Sequence, residues 1–361
     1  MTAYRNFEHS RNYSGFHRVE SGDWRRRLAS LIGEHCGKKS SDSSRSTSRR
    51  TQERAYENVM RIFGWLRNEL GFKGLANPMA LDERHFLALA KLVKEKRERG
   101  DFGAAQAAGY ATYCRHLARW IGKPELVTLF SQALGQEVCK RQLVAQTDKS
   151  WQAAGVDPER IILDVAVAKD KRWVAMVLLA QHAFGLRKKE ALMLKPLRDI
   201  RPAKVVGADK DAWVLVHVHI QDGAKGGRPR VIEVTDNTGL QASKLLREEI
   251  EWLGDREHLP PPSCSLEQNS KSYERVMARF GLTKAGLGVT GHGLRAAFAC
   301  NKLEDAGITP TVRGGDGQHA DPVHQQVAYK QVTEAMGHGR VSVVGAYAGS
   351  VTPQAAGRKH K

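Results

Sequence analysis

Residues 184–194 read FGLRKKEALML and residues 291–299 read GHGLRAAFA, and each segment sets an arginine within an apolar helical pattern. In the first segment a glycine ends one helix and Arg187 begins the next, since glycine commonly stops a helix. In the second segment His292 and Arg295 lie about one helical turn apart and so share a face. Both segments therefore predict helices that carry cationic groups near one end.

A β-hairpin is predicted between these two segments. Residues 213–220, WVLVHVHI, are rich in β-branched and aromatic types, and a second run of this kind, VIEV, follows the glycine-rich stretch 222–230, DGAKGGRPR. The tip of this hairpin carries Lys225. Lys225 is a candidate functional lysine. Lys204 and Lys210 are alternatives to it, because any exposed basic turn looks similar.

The last segment, 336–349, reads MGHGRVSVVGAYAG and places Tyr347 nine positions after His338. A phosphodiester repels nucleophiles, and its transition state concentrates further negative charge on the non-bridging oxygens, so cations must meet that charge. Arginine suits this task because its guanidinium stays protonated and offers a planar fork to two phosphate oxygens. A tyrosine hydroxyl becomes a nucleophile when its proton is removed and neighbouring cations hold its charge. Cations of this kind suit phosphoryl transfer to a tyrosine, and Tyr347 and Tyr329 are both candidates for the nucleophile.

In this order the segments resemble the tyrosine recombinase, or phage integrase, family. The resemblance covers the family's arginine box, hairpin lysine, His-x-x-Arg box and Gly-His with a tyrosine nine positions on. It implies six catalytic residues: Arg187, Lys225, His292, Arg295, His338 and the nucleophile Tyr347. The arginines are expected to bind the phosphate, and the histidines to hydrogen-bond it or to manage the proton of the nucleophile. The lysine is suited to protonating the departing 5′ oxygen, and a stored phosphotyrosine bond makes ATP unnecessary. Because no metal-ligand spacing occurs, neither a metal nor another cofactor is expected.

Three departures from the family pattern bear on geometry and regulation more than on the reaction. The stretch before the last motif is longer than usual, with an insertion at 308–324 that includes TPTVRGGDGQHADPVH. Ala296 stands where many members have a second histidine. Ala348 and Gly349 replace the frequent x-His after the tyrosine.

The predicted fold is mainly α with a small antiparallel β-sheet. We expect a basic, partly disordered region at 1–50, a helical core-binding domain of the SAM-like kind at 51–140 and a catalytic domain at 150–361. Within the first region, residues 24–32 predict a short helix and the serine-rich residues 38–50 a flexible linker. By resemblance, the two domains form a C-shaped clamp around DNA.

Composition limits the partners of the chain. Lysine and arginine outnumber aspartate and glutamate by 57 to 39, a formal net charge of +18, which favours a polyanion without naming it. The longest uncharged run, 173–186, is shorter than the roughly 20 residues of a membrane span. The first residues, MTAYRNFEHSRN, lack the apolar core of a signal peptide, and the five cysteines lack disulfide or metal spacing. We therefore expect a cytoplasmic, nucleoid-associated protein that does not enter the membrane.

The sequence thus predicts a site-specific recombinase that integrates or excises a mobile element. Its expected partners are double-stranded DNA attachment sites, three further copies in a homotetramer, and accessory DNA-bending or directionality proteins. Two alternatives stay open. A type IB topoisomerase-like enzyme would use the same chemistry as a monomer, and a catalytically silent DNA-binding or architectural protein would keep the basic surface without the reaction.

Overall fold

The structure is a computed structural model that describes residues 24–39, 42–169, 171–203, 213–224 and 227–350. The chain divides into two compact units, Met1–Arg141 and Gln142–Lys361. Within the described ranges, no helix combines the length and the apolar character needed to cross a membrane.

The first unit is built from helices. Their bounds are α1 (Trp24–Cys36), α2 (Arg49–Asn68), α3 (Glu83–Glu98), α4 (Ala104–Trp120) and α5 (Glu125–Leu134). Apolar residues at helical spacing, such as Ile62, Phe86 and Leu117, are completely buried in one shared core. Asp82 occupies the N-cap position of α3, where aspartate is a preferred residue.

The prediction of a flexible linker at 38–50 is wrong over most of that range. Strand β1 (Lys38–Lys39) pairs antiparallel with β2 (Asp42–Ser46), and Ser48 then caps α2 by accepting a hydrogen bond from the Thr51 amide at 3.3 Å. Strand pairing and capping use the backbone and a serine hydroxyl, so neither needs the apolar residues whose absence suggested a linker. The short helix predicted at 24–32 is confirmed and extends to Cys36.

The second unit combines helices with a three-stranded sheet. Its elements are α6 (Pro158–Val167), α7 (Arg172–Phe184), α8 (Lys188–Leu192), α9 (Pro196–Asp199), β3 (Ile200–Pro202), β4 (Val216–Ile220), β5 (Arg230–Val234), α10 (Asn237–Leu253), α11 (Leu266–Arg279), α12 (Gly291–Asp305), α13 (Pro322–Ala335) and α14 (Gly345–Ala348). The strands are antiparallel in the order β3-β4-β5, so the predicted hairpin is confirmed as β4 and β5. A mainly α fold with a small antiparallel sheet is likewise confirmed.

The sheet packs one face on the core and holds its hairpin against α8. Val216, Val218 and Ile220 are buried, and they alternate along β4 with half-buried histidines. After β4, Gly223 has a φ of +73°, and a Cβ there would lie 2.9 Å from the carbonyl oxygen of Lys189. This close approach brings the β4–β5 turn to the start of α8, where the arginine box lies.

Candidate active site

Two arginines from separate motifs converge on one backbone carbonyl. Arg187 Nη2 donates to the carbonyl oxygen of Met336 at 3.1 Å, and Arg295 Nη2 donates to the same oxygen. Arg295 also donates to the carbonyl of Gly185, the residue that ends α7. These bonds bring the α7–α8 turn, α12 and the C-terminal end of α13 together in the second unit.

The Tyr347 hydroxyl lies at the centre of the predicted cations. Its oxygen is 3.4 Å from Arg295 Nε and 3.3 Å from His338 Nε2. The His292 ring centroid lies 5.5 Å from that of Tyr347. Arg295, His338 and His292 thus lie next to Tyr347, and Arg187 joins them through the Met336 carbonyl that it shares with Arg295. Lys225 and its alternatives Lys204 and Lys210 lie outside the described residues.

Solvent reaches these groups unequally. Arg295 is 0% exposed and Tyr347 is 7% exposed, but the Arg187 side chain is 22% exposed and His292 lies at the surface. An incoming anion therefore meets Arg187 and His292 first. The guanidinium of Arg295 already donates to two carbonyls and to the tyrosine, so in this arrangement its charge acts on the hydroxyl.

The rival tyrosine has a different environment. Tyr329 is 2% exposed, and its hydroxyl donates to the carbonyl oxygen of Gly317 at 3.0 Å. Burial raises the pKa of Tyr329, which disfavours the phenolate. No described contact joins this hydroxyl to the arginines and histidines of the site.

The buried carboxylate of Glu190 links Arg187 at the start of α8 to Arg230 on β5. Glu190 accepts from Arg187 Nη1 at 2.6 Å and forms a bidentate pair with Arg230 at 3.0 and 2.8 Å. Burial alone would raise the pKa of Glu190, but hydrogen bonds and charge from Arg230 and Arg187 lower it to about 2. Arg230 Nε also donates to the Ala335 carbonyl at 2.8 Å. Glu190 and Arg230 therefore fix Arg187 and the end of α13 relative to each other.

Comparison with known proteins finds a related family over part of the chain. Residues 152–301 match the family model described as integrase, a range that includes Arg187, His292 and Arg295 and stops before His338 and Tyr347. Solved structures similar to the chain include tyrosine recombinases and integrases. No curated protein sequence matches it significantly.

Similar solved structures show that the chain has the fold of tyrosine recombinases. It is similar to a lambda integrase dimer bound to a COC' core site, with a TM-score of 0.54 and 14% identity over 91% of this chain and 76% of that one. It is similar to the XerH site-specific recombinase bound to a palindromic difH substrate in a post-cleavage complex, with a TM-score of 0.51 and 15% identity. That match covers 91% of this chain and 94% of the other. Tyrosine recombinases as a class cleave and rejoin DNA.

Two glycines let the arginine-bearing and histidine-bearing motifs of the chain approach one another. Gly185 has a φ of +60° and Gly337 a φ of +61°, a left-handed conformation that favours glycine. A Cβ at Gly185 would overlap the Phe298 ring, and one at Gly337 would lie 2.9 Å from Arg230 Nη1. The family's glycines in these two boxes are therefore required by local packing in this chain.

Sequence reasoning missed Arg230 and Lys149. Arg230 stands two positions before buried Ile232 on the same side of β5, so strand alternation signalled that it faces inward. Its side chain is indeed only 7% exposed. Lys149 is exposed but lies close enough to influence His292, and no local pattern marks it.

His292 is held toward its neutral form. Partial burial first, and then the charges of Arg295, Lys149 and Arg187, lower the pKa of His292. We expect its imidazole to titrate below the ordinary value of about 6.5. Histidine-labelled NMR titration of the full chain, with the resonance assigned by a His292→Asn variant, measures this midpoint.

The direction of that pKa shift determines how the stability of the fold depends on pH. Because the pKa is lower in the folded state than in the unfolded one, protonation of His292 opposes folding. Its contribution to stability is present above the unfolded pKa and is lost as the pH falls through the folded pKa. A midpoint at or above the ordinary value would contradict this description of the site.

Proposed function

We propose that this protein breaks and rejoins DNA by transferring a DNA phosphate to Tyr347 through a 3′-phosphotyrosyl intermediate. The observation that carries this proposal is the position of the Tyr347 hydroxyl, within 3.4 Å of both Arg295 Nε and His338 Nε2. An imidazole at that distance can accept the proton of the hydroxyl, and a cation at that distance stabilises the phenolate that results.

His338 is the proposed proton acceptor. Its Nε2 is 3.5 Å from Arg295 Nη2, and a guanidinium only donates hydrogen bonds, so Nε2 serves there as an acceptor. The same lone pair then faces the hydroxyl of Tyr347. His338 therefore takes the proton as the tyrosine oxygen attacks phosphorus.

The partly exposed cationic groups are assigned to the DNA phosphate. Arg187 presents a guanidinium that Glu190 and the Met336 carbonyl hold in place, and His292 lies at the surface beside Tyr347. A preorganised donor of this kind supplies on the order of 3 kcal/mol of transition-state stabilisation. Lys225 stays a prediction as the acid that protonates the departing oxygen.

The proposed step balances in both directions. The Tyr347 oxygen loses its proton to His338 and forms a bond to phosphorus, the bond from phosphorus to the 5′ oxygen breaks, and the departing 5′ oxygen gains a proton to become a hydroxyl. In rejoining, a 5′ hydroxyl loses its proton and attacks the phosphotyrosine, which restores the tyrosine. The phosphotyrosine bond stores the energy of the broken phosphodiester, so the cycle consumes no nucleoside triphosphate.

Double-stranded DNA is the proposed partner. The net charge of +18 supports this assignment, as do the similar lambda integrase and XerH structures, both of which are DNA complexes. We further propose that four copies pair two attachment sites and exchange their strands to integrate or excise a mobile element.

Covalent capture tests the proposed function. The probe is a nicked duplex carrying the sequence that the purified wild-type protein selects from a random pool. We expect cleavage of an intact phosphodiester close to the nick, with release of the short fragment that carries the new 5′ hydroxyl. The protein should then stay linked to the 3′ phosphate after denaturation, with the modified peptide mapping to Tyr347 by mass spectrometry. Tight, salt-sensitive binding without any linkage would overturn the proposal and favour the catalytically silent DNA-binding protein.

A further inference from the structure

The insertion at 308–324 contacts the segment that follows the proposed nucleophile. Within it, Thr311 accepts a hydrogen bond from the Ser350 amide at 2.9 Å and donates to the Ala348 carbonyl at 3.3 Å. Both partners lie within three residues of Tyr347. One hydroxyl thus ties the insertion to the C-terminal end of α14.

Gly349 shows how closely the two segments approach. Its φ of +90° is accessible chiefly to glycine, and a Cβ there would overlap the Thr311 hydroxyl and lie 3.2 Å from Val312. The replacement of the family's histidine by Gly349 and the presence of the insertion are therefore structurally coupled. The glycine makes room for the loop.

The 308–317 loop is itself firmly held. Arg313 donates to Asp148 Oδ2 at 3.0 Å and to Asn301 Oδ1 at 2.8 Å, and Tyr329 donates to the Gly317 carbonyl at 3.0 Å. Side-chain exposures of 19% for Arg313 and 12% for Asp148 place this ion pair mostly out of water. The loop therefore offers α14 a rigid support.

The other end of α14 is held by the segment before α6. The Ala145 amide donates to the Gly345 carbonyl at 2.8 Å. Asp148, three residues later, is the partner of Arg313, so the two segments that grip α14 are tied to each other. A helix of four residues cannot hold its own conformation, which means that these contacts set the position of Tyr347.

We infer that the 308–317 loop is a latch that keeps Tyr347 against the cations of its own chain, with Thr311 as the positioning residue. This inference rests on the proposed function. The latch makes the tyrosine act on the phosphate held by Arg187 of the same chain. This positioning also gives a function to the 308–324 insertion, which contains none of the proposed catalytic residues.

The first test compares two substitutions of Thr311 on the nicked duplex described above. Thr311→Val keeps the shape but removes both hydrogen bonds, and we expect covalent linkage to slow by on the order of tenfold to a hundredfold while DNA affinity stays unchanged. Thr311→Ser keeps the hydroxyl and should restore most of the rate. Wild-type rates for both variants would overturn the inference.

A matched control separates positioning from general stability. Thr333 is a buried threonine whose hydroxyl donates to the Tyr329 carbonyl within α13 at 2.7 Å. We expect Thr333→Val to lower the melting temperature about as much as Thr311→Val does, without a comparable loss of linkage rate. Equal losses of rate in the two valine variants would show that Thr311 acts only through stability.

A mixing experiment tests the same-chain geometry without changing the latch. Tyr347→Phe retains the cations and Arg187→Gln retains the nucleophile, so a tyrosine delivered to another chain would restore linkage in a mixture of the two. We expect no more adduct in the mixture than in either protein alone. Restored linkage would overturn the latch, whereas absence of linkage in the wild type would instead remove the proposed function on which it rests.

Discussion

Replacement of Tyr347 by phenylalanine should abolish covalent linkage to DNA while leaving DNA binding intact. The substitution removes the one atom that Arg295 Nε and His338 Nε2 share as a partner. The ring is 7% exposed and packs in the core of its unit, so phenylalanine fills the same space. Denaturing gel electrophoresis of protein mixed with the nicked duplex measures the linkage, and fluorescence anisotropy measures binding.

The rival tyrosine provides the comparison. Tyr329→Phe loses a hydrogen bond to Gly317 and so loosens the loop that supports α14, but it should still form an adduct that maps to Tyr347. Persistence of linkage in Tyr347→Phe, together with its loss in Tyr329→Phe, would move the nucleophile and refute the assignment made from the geometry.

Replacement of Glu190 by glutamine should cost about 3 kcal/mol of unfolding free energy, because it leaves the buried Arg230 and the partly exposed Arg187 without their anion. The Glu190 side chain is 0% exposed, and that of its bidentate partner Arg230 is 7% exposed. Urea denaturation at neutral pH measures the change. Linkage should also slow, since Arg187 loses its 2.6 Å bond to this carboxylate.

An exposed ion pair in the same unit is the matched control. Lys188 and Glu274 approach to 2.6 Å, but their side chains are 36% and 63% exposed. We expect Glu274→Gln to change the unfolding free energy by less than about 1 kcal/mol. Similar losses for the two glutamine variants would show that Glu190 stabilises the fold no more than a surface pair does.

The pH dependence of the Glu190 contribution follows from its pKa of about 2. That value lies below the ordinary glutamate pKa of about 4.3, so folding is favoured by the ionised form. The stabilisation is fully present above the ordinary value and is lost as the pH falls toward 2. Wild type and Glu190→Gln should therefore converge in stability in strong acid.

Much of the fold could be predicted from local pattern. Apolar spacing located α3, α4, α7 and α12, and β-branched runs around a glycine-rich turn located β4 and β5. Such patterns work because helix periodicity, capping and turn formation depend on residues close together in the chain. The linker predicted at 38–50 failed for the complementary reason, because its strands pair through backbone groups that composition does not reveal.

For this protein, the sequence by itself determined the order of the motifs, and with it the four described residues, Arg187, His292, Arg295 and His338, that the fold brings near Tyr347. Tertiary structure alone decided that Glu190 pairs with Arg230, 40 positions away, and that Thr311 reaches Ser350, 39 positions away. Contacts at such separations follow from how helices and strands pack, and each depends on the whole unit being folded. Short motifs thus name the reacting groups, whereas packing decides which other side chains hold them in place.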